Sequence, residues 1–299
     1  MSPLNILLII SLVFFVLSYL GLAHMRLEPP RNDPASYLLA HPGGIRERLL
    51  AVCAGDSITH GAVSASYLDL LAARLPDWDF VNAGVNSELA FNLAARIERI
   101  IELRPDAVTV LIGTNDVNAT FGLRSLLGYY AIHRLPERPN PLFFRENLLL
   151  VVRRLKEETK ARIALFSIPP IGEDPHHYAY LRTEEYSSIV REIAKLEEVG
   201  YLPLRERLVD YLESLPPNRH PTAFRHFGIA QRRSMRSRLI LGRSLDEISA
   251  ANGFRILVDG IHLNTHGAAI AADLAESFFR ECERTMDRVN AGEALPTPT

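Results

Sequence analysis

The sequence predicts an α/β fold in which helices cover both faces of a parallel sheet, preceded by one N-terminal transmembrane helix. Three observations predict it. From Leu49 onward, short apolar runs of strand length alternate with longer stretches whose apolar residues fall at helical spacing. Strands separated by helices are joined by crossovers, and crossovers build parallel sheets with helices on both sides. Ahead of that pattern, Leu4–Ala23 is a run of 20 residues without a charge. At 299 residues and 47% apolar content, the chain has material for one sizeable domain with additions, or for two small ones.

In chain order, Leu4–Ala23 comes first. As a helix it would span about 30 Å, the hydrocarbon thickness of a bilayer, and it lacks the polar face expected of a core helix. Residues 1–25 are therefore read as a membrane anchor or signal segment. Met1–Asn5 has no basic n-region, although Gly21-Leu22-Ala23 offers the small residues a signal peptidase accepts. An uncleaved single-pass anchor is the reading; cleavage would make the protein secreted. The first side-chain cations, Arg26 and Arg31, follow the segment, which points the domain toward the cytoplasm, but two arginines do not fix the side. Residues 26–48 read as a linker, extended through Glu28–Pro34.

The main domain is expected over 49–286, with a tail over 287–299. Its strands are Leu49–Ala54, Trp78–Asn82, Ala107–Ile112, Ala161–Phe166 and Phe254–Val258. Its helices are Ala65–Leu75, Leu89–Leu103, Phe143–Lys160, Tyr180–Val199 and a closing helix capped by Asn264. Phe121–Pro141, with its prolines and aromatics, reads as irregular. Residues 204–252 exceed a single crossover. Between Ser214 and Leu245 they carry seven arginines (219, 225, 232, 233, 236, 238 and 243) and no acidic residue. The bland reading is a basic surface; the functional one is a cap or membrane-facing element touching an anionic surface or substrate. A net charge of −2 argues against a general nucleic-acid binder. Two cysteines make no disulfide framework, and Cys53 reads as a small buried hydrophobe.

Four stretches follow or close predicted strands: Gly55-Asp56-Ser57, Asn82-Ala83-Gly84-Val85-Asn86-Ser87, Gly113-Thr114-Asn115-Asp116 and Asp259-Gly260-Ile261-His262. Parallel strands bring these ends to one edge of the sheet, where open α/β folds place their sites. That edge then holds the inventory for acyl transfer. A serine hydroxyl needs a base, which His262 supplies near neutral pH. Asp259 fixes the imidazole tautomer. The Asn115 amide and backbone N–H groups stabilise an oxyanion. The bland reading of Asp56 or Ser57 is a helix cap.

The four stretches resemble the blocks of the SGNH, or GDSL, hydrolase family, over about Leu49–Met286. The resemblance implies a flavodoxin-like three-layer α/β/α sandwich and ester hydrolysis; no cofactor is expected. It implies Ser57 as nucleophile, Asp259 and His262 as its triad partners, and an oxyanion hole from Ser57, Ser87 and Asn115. The family usually has glycine where Ser87 stands, a backbone conformation that serine reaches less easily. The alternative for Ser87 is a cap on the helix that follows. The basic insertion is a second departure.

Neighbouring residues have simpler expectations. His60 lacks a carboxylate partner and reads as local structure, and Asp116 as a support of its loop. His176 and His177 read as surface residues, and His266, four residues after His262, lacks the further ligands that a metal site needs. Asn118-Ala119-Thr120 is a glycosylation sequon inside the site loop and is discounted. Gly-x-Ser-x-Gly is absent around Ser57, as are Gly-x-Gly-x-x-Gly and Walker sequences, so neither an α/β-hydrolase elbow nor a nucleotide cofactor is implied. Two competing readings are a metal-dependent phosphoesterase using Asp56, Asn115, Asp116 and His262, and a non-catalytic anchored binding module. Substrates on the first reading are small-molecule, lipid or carbohydrate esters.

Overall fold

A computed structural model describes residues 28–216 and 227–290. The expected transmembrane segment Leu4–Ala23, Arg219, Arg225 and residues 291–299 of the tail lie outside the described residues. Among the described residues, no helix is long and apolar enough to cross a membrane.

Five parallel strands form the sheet: β1 (Leu49–Gly55), β2 (Trp78–Gly84), β3 (Ala107–Leu111), β4 (Arg162–Phe166) and β5 (Gly200–Leu202). Their order is β2-β1-β3-β4-β5, that of the flavodoxin-type doubly wound sheet. Alternate residues of each strand feed two separate cores. Leu50, Val52 and Ala54 of β1 face one side, packed with α4 (Ala90–Ala95), α5 (Glu98–Ile101), α8 (Pro141–Glu158) and α9 (Tyr178–Leu196). Ala51 and Cys53 face the other, packed with α3 (Tyr67–Arg74), α10 (Leu204–Ser214) and α13 (Thr265–Asn290). The apolar character of the strands on both faces follows from this double burial.

Between these lie α1 (Pro34–Ala40), α2 (Ser57–His60), α6 (Thr114–Ala119), α7 (Leu123–His133), α11 (Phe227–Leu241) and α12 (Leu245–Ala251). Several expectations are corrected. Residues 28–40 are not a free linker: Asn32 donates from Nδ2 to Phe80 O (2.5 Å) and accepts Asn82 N–H at its carbonyl (3.0 Å), tying the segment to β2. One helix was expected over Leu89–Leu103; two short ones form, because Arg96 leaves helical geometry and its guanidinium turns inward to Glu88 (2.7 Å) and Ala83 O (2.8 Å). Phe121–Pro141 contains the helix α7. Tyr201 belongs to a short edge strand, β5, that composition did not reveal.

Phe254–Val258 is not a sheet strand. Its N–H groups at Arg255, Ile256 and Leu257 are taken by the Glu173 carboxylate at 2.8–3.1 Å, which replaces a strand ladder. Within this segment only an isolated antiparallel bridge forms, between Leu257 and Leu263.

Candidate active site

Register sets the site. Gly55, the last residue of β1, lies between Gly84 of β2 and Leu111 of β3. A Cβ on Gly55 would stand 2.3 Å from Leu111 O, and one on Gly84 2.3 Å from His60 N, so both glycines admit neighbouring backbone. The chain then turns at once: Asp56 caps the single-turn helix α2 by accepting Ile58 N–H at 2.9 Å. The capping reading thus holds for Asp56. Ser57 is the first residue of that helix, so its N–H has no intrahelical acceptor. The longer helix α3 starts separately, capped by Ser66.

Ser57 and His262 are 205 residues apart, yet Ser57 Oγ lies 2.9 Å from His262 Nε2. His262 Nδ1 lies 2.8 Å from Asp259 Oδ2. That carboxylate contact places the ring proton on Nδ1 and leaves the Nε2 lone pair facing the serine hydroxyl. Asp259 Oδ1 also accepts the N–H groups of Ile261 (3.2 Å) and His262 (3.0 Å). Burial acts to raise the Asp259 carboxyl, but the imidazole charge and these hydrogen bonds outweigh it and hold it below the ordinary carboxylate range. Asp259 and His262 are almost wholly buried, while Ser57 retains 8% exposure and is the most accessible of the three.

Asn115, at the start of α6, packs against the residue preceding Ser57. Its Nδ2 donates to Glu88 O (3.0 Å) and Asp56 Oδ2 (3.3 Å). Its Oδ1 accepts the Tyr129 hydroxyl at 2.6 Å, and that hydroxyl in turn accepts Asn118 Nδ2 at 2.9 Å. The donor chain Asn118→Tyr129→Asn115 therefore fixes which end of the amide is nitrogen. Both Nδ2 hydrogens have protein acceptors, and the contact to Asp56 is the longer. Ser87 takes the left-handed conformation, with φ of +67°, the geometry a glycine would supply. Its carbonyl accepts His133 Nε2 at 2.7 Å. Its hydroxyl does not cap α4: Asn92 Oδ1 takes Leu89 N–H and Asp116 Oδ2 takes Ala90 N–H, both at 3.0 Å. The capping alternative for Ser87 is thereby corrected.

Asp56 and Asp116 differ from Asp259. Burial pushes each up to about 7, with few donors to oppose it. His60 accepts Ala62 N–H at Nδ1 and donates from Nε2 to Glu28 O at 2.9 Å; burial lowers its pKa. His177 caps α9, and His266 stacks on Tyr211 at 3.9 Å. Asn118 is buried in the tyrosine network, closed to a glycosyltransferase. Cys53 and Cys282 are free and buried.

Two contributors escaped sequence reading. Glu173 clamps the segment that leads into Asp259, and Gly172 N–H donates to Gly260 O at 2.8 Å beside it. Glu173 follows β4, so strand-end position was the available signal. Tyr129 had none.

The sheet order, with Ser57 and Asn115 following β1 and β3 and His262 brought against Ser57 by the non-strand segment before α13, suits an acyl-transfer hydrolase. The chain belongs to the GDSL-like Lipase/Acylhydrolase family, whose model matches residues 53–226, and it is a serine hydrolase of ester bonds. Among solved structures it is similar to Axe2, an acetylxylan esterase from Geobacillus stearothermophilus, with 19% identity, a TM-score of 0.56, and coverage of 78% of this chain and 94% of that one. The acetyl xylan esterase AlAXEase matches at 20% identity and a TM-score of 0.51, covering 77% and 98%. A lipase/acylhydrolase from Enterococcus faecalis matches at 17% and 0.51, covering 78% and 96%. No curated protein is significantly similar in sequence.

Proposed function

We propose that Ser57 is the nucleophile, His262 the general base and then acid, and Asp259 the group that orients it. The observation that carries this is the unbroken contact chain from Ser57 Oγ through His262 to Asp259, at 2.9 and 2.8 Å. Ser57 Oγ attacks the ester carbonyl as its proton passes to His262 Nε2. The N–H groups of Ser57 and Ser87 and the Asn115 amide receive the oxyanion, the last by exchanging its longer contact to Asp56. Collapse expels the alcohol, protonated by His262, and leaves an acyl-Ser57. Water, deprotonated by His262, then releases the acid. The metal reading finds most of its ligands engaged: Asp56 Oδ1 caps α2, Asp116 Oδ2 holds Ala90 N–H though its Oδ1 has no hydrogen-bond partner, and both His262 nitrogens have partners.

The proposal extends to setting and substrate. Leu4–Ala23 anchors the protein in a membrane, by its length and lack of charge. The arginines between 219 and 243 contact an anionic surface or substrate, a reading drawn from their shared charge in the sequence. The substrate is a lipid or carbohydrate ester; acetylxylan esterases among the structural neighbours support the carbohydrate side. The test is turnover of a short acyl ester by wild type and Ser57→Ala, together with mass spectrometry after a phosphonate inhibitor. Ser57→Ala should lose at least about 10³-fold in kcat, and the adduct should map to Ser57. Wild-type turnover by the variant would overturn the assignment.

A further inference from the structure

We propose that the sheet edge carrying Ser57 docks face-on against a lipid bilayer, through the outer side of α7 and the start of α9, so that the site opens toward the membrane surface. The proposal rests on the anchor reading of Leu4–Ala23.

The helix α7 has two unlike sides. Its inner side builds the site: Tyr129 bonds Asn115 and His133 bonds Ser87. Its outer side should be polar if it met water, as surface helices are. Instead the exposed residues are Leu123, Leu127, Gly128, Ala131 and Ile132, with Arg124 the one charged exposed residue in the helix. Leu123, Leu127 and Ile132 are 69%, 57% and 58% exposed. Helix α8 differs in being mixed: it exposes Leu142 and Leu150 but sets Glu146, Arg153, Lys156, Glu157 and Glu158 among them.

The apolar surface continues beyond α7. Phe121, just ahead of it, meets the Tyr178 ring edge-on at 5.1 Å. Tyr178 and Leu181 sit one turn apart on α9 and are 55% and 51% exposed. A tyrosine beside exposed leucines suits the boundary between headgroups and acyl chains. Contiguous exposed apolar surface of this kind marks an interaction face.

Chain entry and charge say what covers it. Glu28 O is held by His60, three residues after Ser57, so the described chain enters at this same edge. Five residue steps separate Glu28 from Ala23, a reach of at most about 17 Å. An anchored apolar segment therefore holds this edge close to the bilayer. On the same edge Arg238 donates to Ala62 O at 3.3 Å, placing α11, with Arg233 and Arg236 exposed, beside the mouth. Basic side chains there match anionic headgroups.

The test uses the full chain reconstituted with phosphatidylcholine–phosphatidylglycerol vesicles. Two substrates are compared: a water-soluble short-chain ester and a long-chain ester embedded in the vesicle. Leu123→Glu/Leu127→Glu should hydrolyse the soluble ester within about twofold of wild type and lose about tenfold or more on the embedded one. Tyr178→Glu/Leu181→Glu should do the same, and Leu196→Glu, at the far end of α9, should change neither. Equal loss on both substrates by both pairs would overturn the docking face. If wild type fails to float with the vesicles, the anchor reading fails and takes the proposal with it. If wild type floats but both glutamate pairs match it on the embedded ester, the anchor stands and the docking face is wrong. A dimer that the glutamate pairs dissociate would assign the face to a second copy and also overturn it.

Discussion

Asp259 and Asp56 are both buried, and each stands next to a member of the proposed triad, yet their carboxyls are pushed in opposite directions. Asp259 accepts two backbone N–H groups on one oxygen and the imidazole on the other. Asp56 accepts one backbone N–H and a longer amide contact, and Asp116, on the far side of Asn115, accepts the Ala90 N–H alone among the bonds described. Burial penalises all three charges. The donors decide the outcome: Asp259 stays below the ordinary range, while Asp56 and Asp116 rise to about 7. On the proposed roles, one carboxylate keeps the charge that an imidazolium needs beside it; the other two are supports whose charge the fold resists. Replacing members of each cluster by neutral isosteres separates the two roles.

The largest effect is expected at the donor-rich cluster. Asp259→Asn keeps the shape but favours the wrong imidazole tautomer, a change that costs a serine-protease triad about 10⁴ in kcat. Retention of more than a tenth of wild-type kcat, with the variant folded by circular dichroism, would show that the contrast between the clusters has no catalytic meaning. Next comes Asn115→Ala, between the two supports. Removing one oxyanion donor should cost on the order of 10²–10³, mainly in kcat with KM little changed. A loss confined to KM would remove Asn115 from the oxyanion hole.

A smaller effect is expected from Tyr129→Phe. The variant keeps the ring and removes only the hydroxyl that fixes the Asn115 amide. A kcat loss of about tenfold is expected, the value of one hydrogen bond of about 1.4 kcal/mol. The decisive measurement is the double variant with Asn115→Ala. If Tyr129 acts through Asn115, the second change adds almost nothing. Full additivity would mean that Tyr129 only packs α7.

How much of this could be read beforehand divides along sequence distance. Gly55-Asp56-Ser57 and Asp259-x-x-His262 each carry their chemistry within a few residues, and alternating apolar runs announce the sheet that brings them together. Ser87 was legible as a departure, and its φ of +67° shows the fold imposing a glycine's conformation on it. The illegible parts depend on partners far along the chain. Phe254–Val258 has the composition of a strand, but its N–H groups are satisfied by a carboxylate 82 to 84 residues away. Arg96 breaks a well-patterned helix because Glu88 and Ala83 O draw its guanidinium inward. Helix α7 hid because its usual polarity is reversed: the outer side is apolar, and the polar groups of Ser125, Tyr129 and His133 turn inward, so no solvent-facing polar stripe reveals its period.

The smallest expected effect on rate is at Asp116, where the change lies in stability. In the unfolded chain its carboxyl titrates near 3.9; in the folded protein it titrates at about 7. Between those values the native state keeps a proton that the unfolded state has lost. Stability therefore falls as pH rises from about 4 to 7, by at most about 1.4 kcal/mol per pH unit for this group, and the penalty is constant above. Asp116→Asn removes the titration while its Oδ1 can still accept Ala90 N–H. Any change from the new amide hydrogens is independent of pH, so the quantity to follow is the difference between variant and wild type. Urea midpoints taken from pH 5 to pH 8 should show that difference moving in favour of the variant as pH rises, then levelling. The same series on Asp259→Asn should be flat: a depressed carboxyl contributes stability above its unfolded pKa, near 3.9, and loses it only as pH falls below that value through the folded one. Parallel slopes for the two variants would break the contrast between a donor-rich and a donor-poor carboxylate.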